Sequence, residues 1–74
     1  HSVEIKEYFS ICNNAISNLS LKNFDVEIQY IRRPNMLENI EPRQDIVLSA
    51  GDILVILGTQ ENLNLFEKYT INGE

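Results

Sequence analysis

The sequence predicts an α+β domain: a small, mostly antiparallel β-sheet with a short helix between its first two strands and a C-terminal helix, completed as a dimer. Three observations predict it. Ile53–Leu57 is a run of five apolar residues, three of them β-branched, closed by Gly58. A run so short and so branched reads as a strand buried on both faces at the centre of a sheet. Residues 25–33 set Val26, Ile28 and Tyr30 against Glu27 and Gln29, the alternation of a strand with one wet face. Residues 60–68 carry Leu63 and Phe66, with Leu65 and Tyr69 beside them, and describe a helix with one apolar side.

Residues 2–20 support two readings. Val3, Ile5, Phe9 and Ile11 alternate with polar residues and suggest a strand over Val3–Ile11, followed by a short helical turn over Ala15–Leu21. Ile5, Tyr8, Phe9, Cys12, Ala15, Ile16 and Leu19 also fit the stripe of one long helix. Asn13-Asn14 favours a break, because asparagine prefers turns and caps. Lys22-Asn23-Phe24 would then connect to the second strand.

After residues 25–33, where Ile31 breaks the alternation just before Arg32 and Arg33, Pro34-Asn35 stops or turns the chain. A short return strand is expected around Leu37–Glu41, antiparallel to 25–33, with an irregular loop after Pro42. Ile46-Val47-Leu48 forms a partner strand or a lead-in, and Gly51-Asp52 makes a turn that tolerates positive φ. Thr59 is placed to cap the helix Gln60–Lys68, with Glu61 in the first turn and Lys68 in the last, both favourable to the helix dipole. Asn72-Gly73 ends the domain.

A chain of 74 residues makes one domain with a small core, and such a core leaves little stability once chain entropy is counted. The single cysteine, Cys12, excludes an internal disulfide and fits a reducing compartment. No cysteine–histidine cluster suggests zinc. A partner subunit is the remaining stabilising device. The net charge of −5 argues against nucleic acid and anionic membrane surfaces as partners. No apolar run approaches the roughly 20 residues that a membrane span needs, so no direct membrane insertion is expected. No signal peptide is visible. His1-Ser2 reads as a remnant of an expression tag and residues 3–74 as a domain cut from a longer protein.

The chemistry is sparse. Arg32, Arg33 and Arg43 supply three of the six positive charges. They read either as an anion site, in which guanidinium forks hold phosphate or carboxylate, or as surface charges balancing Glu38, Glu41 and Asp45. On a strand Arg32 and Arg33 point to opposite faces, so at most one should line a given pocket. Asp52 could ligate a cation but in a Gly-Asp turn more often bonds backbone amides. Glu38, Glu41 and Asp45 could hold a cation or form a solvated acidic loop; no metal and no cofactor are assigned. Cys12 has no histidine partner beyond His1, and there is no serine–histidine–aspartate set or glycine-rich phosphate loop, so no enzyme activity is expected. Tyr8, Tyr30 and Tyr69 read as residues at the edge of the core.

One set of features resembles a known family. An alternating strand ends in Ile31-Arg32-Arg33, an Ile40-Glu41-Pro42 segment follows, then Asp45-Ile46-Val47-Leu48, then Gly51-Asp52 leading into a buried strand that ends in Gly58, then a short helix. This pattern resembles the TrkA-C domain, the C-terminal ligand-binding domain of regulators of potassium conductance. Ala15–Leu21 looks like that family's short helix, with Ser17-Asn18 in place of a frequent glycine-lysine pair. The resemblance covers roughly residues 3–69. It implies a strand at Val3–Ile11, a homodimer, and a cytoplasmic position as part of a probable membrane protein, attached to a potassium channel, uptake system, cation–proton antiporter or other transporter. It also implies a small anionic ligand such as a cyclic dinucleotide near the subunit interface. The ligand site expected on this basis is Ile31, Arg32, Arg33, Asn35, Ile40 and Pro42. The alternative is a ligand-free dimerisation module, in which apolar positions outside the core, such as Ile31 and Ile40, simply meet a second subunit.

Overall fold

The computed structural model describes residues 1–73; Glu74, the end of the expected domain, lies outside the described residues. The elements are β1 (Ser2–Glu4), a 3₁₀ turn (Ile16–Asn18), α1 (Leu21–Phe24), β2 (Glu27–Arg32), β3 (Ile53–Leu57) and α2 (Gln60–Asn72). The sheet has three strands in the order β1-β3-β2, both pairings antiparallel. The expected α+β class and the central place of Ile53–Leu57 are both present.

β3 is covered on one face rather than two. Leu54 and Ile56 are buried, Ile53 and Val55 are half-buried, and Leu57 is exposed. The buried face packs with Val3, Ile5, Ile28, Ile31, Leu63 and Phe66. The opposite face carries Ile53, Val55 and Leu57 across from Glu4, Ser2, Tyr30, Arg32 and Glu27. Gly58 ends the strand where a Cβ would lie 2.9 Å from Cγ1 of Val26, so only glycine fits without displacement.

In β2 the register shifts between Ile28, opposite Ile56, and Tyr30, opposite Val55. Gln29 is the extra residue, and one extra residue turns the following side chains to the other face. Tyr30 therefore leaves the buried face and Ile31, fully buried, takes it. The break in alternation expected at Ile31 has this bulge as its cause, and the expectation that Ile31 lies outside the core is corrected, because its side chain is fully buried.

The N-terminal segment is neither a long strand nor a long helix. β1 pairs with β3 only from Ser2↔Val55 to Glu4↔Ile53, and beyond it Ile5 bonds to the backbone of Gly51 and Asp52, where the chain turns into β3. Successive turns follow, with Phe9 N–H bonded to Lys6 O, Cys12 N–H to Phe9 O and Asn14 N–H to Ile11 O. Asn13 takes φ 68°. Ile5 and Ile11 still reach the core, whereas Tyr8 is exposed and rests edge-on against Phe9. The expected helical segment Ala15–Leu21 is a single 3₁₀ turn, and the expected connection 22–24 is α1. His1 O accepts from Ile56 N–H, so the first two residues are engaged by the sheet.

The return strand at Leu37–Glu41 reduces to one bridge, Ile31↔Ile40, with reciprocal hydrogen bonds of 3.0 and 2.8 Å. The next hydrogen-bonded pair would need Gln29, at the bulge, and Pro42, which has no N–H. Ile46–Leu48 is a lead-in, bridged to Ala15 through Val47.

α2 is longer than expected. Thr59 caps it by accepting from Asn62 N–H at 3.2 Å, and Gly73 closes it at φ 77°. Lys68 consequently lies outside the last turn. Leu63, Phe66 and Thr70 are its buried residues, and Phe24, Phe66 and Tyr69 form an aromatic group with centroids 5.1–5.9 Å apart.

Candidate functional site

The site forms where β2 runs out. Pro34 and Asn35 occupy the central positions of a turn in which Met36 N–H donates to Arg33 O at 3.2 Å, and Asn35 has φ 69°. Proline followed by a positive-φ asparagine is the pattern of a type II turn. The turn ends the strand at Arg32 and sends residues 36–39 outward before Ile40 returns to Ile31.

The second wall is the turn into β3. Gly51, at φ 93°, lies so close to Pro34 that a Cβ would sit 3.2 Å from its Cγ. Its N–H donates to Ile5 O, and Ile5 N–H donates to Asp52 O, each at 2.8 Å. This turn therefore joins the end of β1 to the start of β3.

Arg33 ties the walls together. Its Nε donates to Oδ1 of Asp52 at 3.0 Å, and its Nη2 donates to Oδ2 at 2.9 Å and to Val47 O at 3.0 Å. Oδ2 also accepts from Ser49 N–H at 2.9 Å. The Asp52 side chain is 1% exposed and that of Arg33 30%. The Asp52 hydrogen bond raises the Arg33 pKa above its already high value, so the charge persists throughout the ordinary pH range. The structural role expected of Asp52, bonding a nearby amide, is present, and the arginine pair is added to it.

A cleft of about 270 Å³ opens between the walls, lined by Arg32, Arg33, Pro34, Met36, Leu37, Glu38, Asn39, Gly51 and Ile53. Both arginines border it. That corrects the expectation that they must diverge: strand alternation holds for Arg32, but Arg33 already lies beyond the strand end. Arg32 is exposed and makes no ion pair among the described residues. Leu37 is fully exposed on the rim, with Met36 half-exposed beside it.

The other expected residues do not share this cleft. Ile31 lies in the core behind it. Asn35 is exposed at the turn. Ile40 borders a separate hollow with Glu41, Arg43 and Ile46, and Pro42 borders another with Val26, Ile28 and Leu21. Arg43 makes an exposed 3.4 Å contact with Asp45, a pair worth little in water. Met36, Leu37, Asn39 and Ile53 were missed from the sequence. Asn39 and Leu37 carried no signal beyond lying in the loop between Pro34 and Ile40. Among the described residues, no three metal-binding side chains cluster and no helix is long and apolar enough to cross a membrane.

The TrkA-C domain family matches residues 1–70 of the chain. Among solved structures, the regulator of conductance of K⁺ (RCK) C domain of the potassium transport protein KtrA, in complex with cyclic diadenosine monophosphate, is similar over 92% of this chain and 78% of its own, at 30% identity and a TM-score of 0.78. An RCK domain described as being with cda is similar over 95% of this chain and 94% of its own, at 24% identity and a TM-score of 0.76, a likeness of fold. No curated protein matches the chain significantly.

Proposed function

The chain belongs to the TrkA-C domain family, and we propose that it is a cytoplasmic regulatory domain that couples a small anionic ligand to potassium or other cation transport. The single observation that carries the ligand reading is the cleft at the end of β2, where Arg32 has no ion-pair partner among the described residues and Arg33 is fixed by Asp52 beside exposed apolar side chains. Guanidinium groups suit a phosphate, and Met36, Leu37 and Ile53 suit the flat face of a base. A cyclic dinucleotide combines both. The KtrA domain that shares 30% of its sequence is described in complex with cyclic di-AMP, which makes that molecule the first to try.

The proposed site extends through Asn35, Ile40 and Pro42 towards a second copy of the chain, with Ile31 supporting it from the core. The mechanism is linkage. The ligand binds one arrangement of the dimer better than another and shifts the population of the attached channel, antiporter or carrier. No catalytic step is assigned to this domain. Calorimetric titration of the folded chain with cyclic di-AMP tests the reading. Saturable binding that weakens in Arg32→Ala supports it. A folded chain that dimerises and takes up no cyclic dinucleotide would instead favour the ligand-free dimerisation module.

A further inference from the structure

We propose that Asp52 is a positioning residue for the cleft, presetting Arg33 for an anion and carrying occupancy of the cleft to β1. The proposal deepens the ligand-binding reading above and rests on it. Arg33 has five N–H donors. Three are engaged, by the two carboxylate oxygens of Asp52 and by Val47 O. The Nη1 group has no hydrogen-bond partner among the described residues, and Arg33 borders the cleft. A guanidinium held on one side and open on the other has already lost its rotamer freedom. An incoming phosphate or carboxylate therefore meets a donor that need not be ordered on binding. Arg32, on the surface beside it, has no such clamp and supplies charge rather than geometry.

The same aspartate reaches the first strand. Its side chain holds Arg33 while its backbone oxygen accepts from Ile5 N–H at 2.8 Å, and the adjacent Gly51 N–H donates to Ile5 O at 2.8 Å. The turn itself is closed by Asp52 N–H to Ser49 O at 3.1 Å and by Ser49 N–H to Oδ2 at 2.9 Å. An anion that draws on Arg33 is thus connected, through one buried side chain and one short turn, to the end of β1. Each link is a hydrogen bond, so the contacts from Arg33 to Ile5 are contiguous, and the exchange measurement below decides whether they carry coupling.

The test uses cyclic di-AMP as the ligand. Asp52→Asn keeps the shape but removes the charge that orients Arg33, and affinity is expected to fall at least tenfold. Because that variant could fail to fold, hydrogen exchange on the unaltered chain provides a second measurement. Saturating cyclic di-AMP should slow exchange at the Ile5 and Gly51 amides severalfold, while the Leu63 amide in α2 keeps its rate. Unchanged affinity in a folded Asp52→Asn chain, or unchanged Ile5 and Gly51 exchange in a chain that binds, overturns the positioning role while leaving the ligand reading intact. Absence of binding to the unaltered chain removes both.

Discussion

Arg33 and Asp52 form a bidentate pair that is unevenly buried, with the carboxylate 1% exposed and the guanidinium side chain 30% exposed. The two halves should therefore respond differently to truncation. Arg33→Ala strands a buried carboxylate and is expected to cost about 3–5 kcal/mol. Asp52→Ala leaves a guanidinium that can reach water, and it should cost less. Urea unfolding of both variants measures the difference. The raised Arg33 pKa has a fixed sign: its stabilisation is present below the unfolded pKa and is lost only as pH rises through the higher folded value. Stability should show no Arg33-linked change near neutral pH.

Gly58 and Val26 pack too closely for a side chain at residue 58, with a Cβ placed 2.9 Å from Val26 Cγ1. Gly58→Ala is expected to destabilise by about 1–3 kcal/mol through overpacking. Adding Val26→Ala should cost less than the sum of the two single changes, because removing Cγ1 of Val26 relieves the clash. Thermal unfolding of the double-mutant cycle checks it.

Thr59 caps α2 through Asn62 N–H. Thr59→Ala should cost about 1 kcal/mol and Thr59→Ser almost nothing, as measured by thermal or urea unfolding.

Leu37 is fully exposed on the rim of the cleft and contributes nothing to the core. Leu37→Ser should leave the unfolding midpoint in place. On the proposed function it should weaken cyclic di-AMP binding severalfold, read by titration beside the unfolding curve.

The legible part of this fold was the part set by local pattern. The branched run Ile53–Leu57, the Gly51 turn, the Thr59 cap and the alternation around β2 each carry their cause within a few residues. The bulge at Gln29 showed in the sequence only as the break in alternation at Ile31, because no glycine or proline marks it and its cause is the fit of β2 to β3. The N-terminal turns were hidden for a related reason: Ile5 and Ile11 are apolar whether the chain extends or turns, and the pairing that stops at Glu4↔Ile53 is made with β3, far along the chain. In the site, Arg32 and Arg33 stood out by charge. The partner of Arg33 lies nineteen residues away and had no sequence signal beyond a turn aspartate.

The end of β2 is proposed above as the anion-binding cleft of a regulatory domain. Calorimetric titration of cyclic di-AMP into the chain and into Arg32→Ala, both confirmed folded, tests it most directly. Saturable binding to the unaltered chain is expected, with at least tenfold weaker binding to Arg32→Ala and unchanged unfolding midpoints. No binding to the unaltered chain, or equal binding to both, would contradict it.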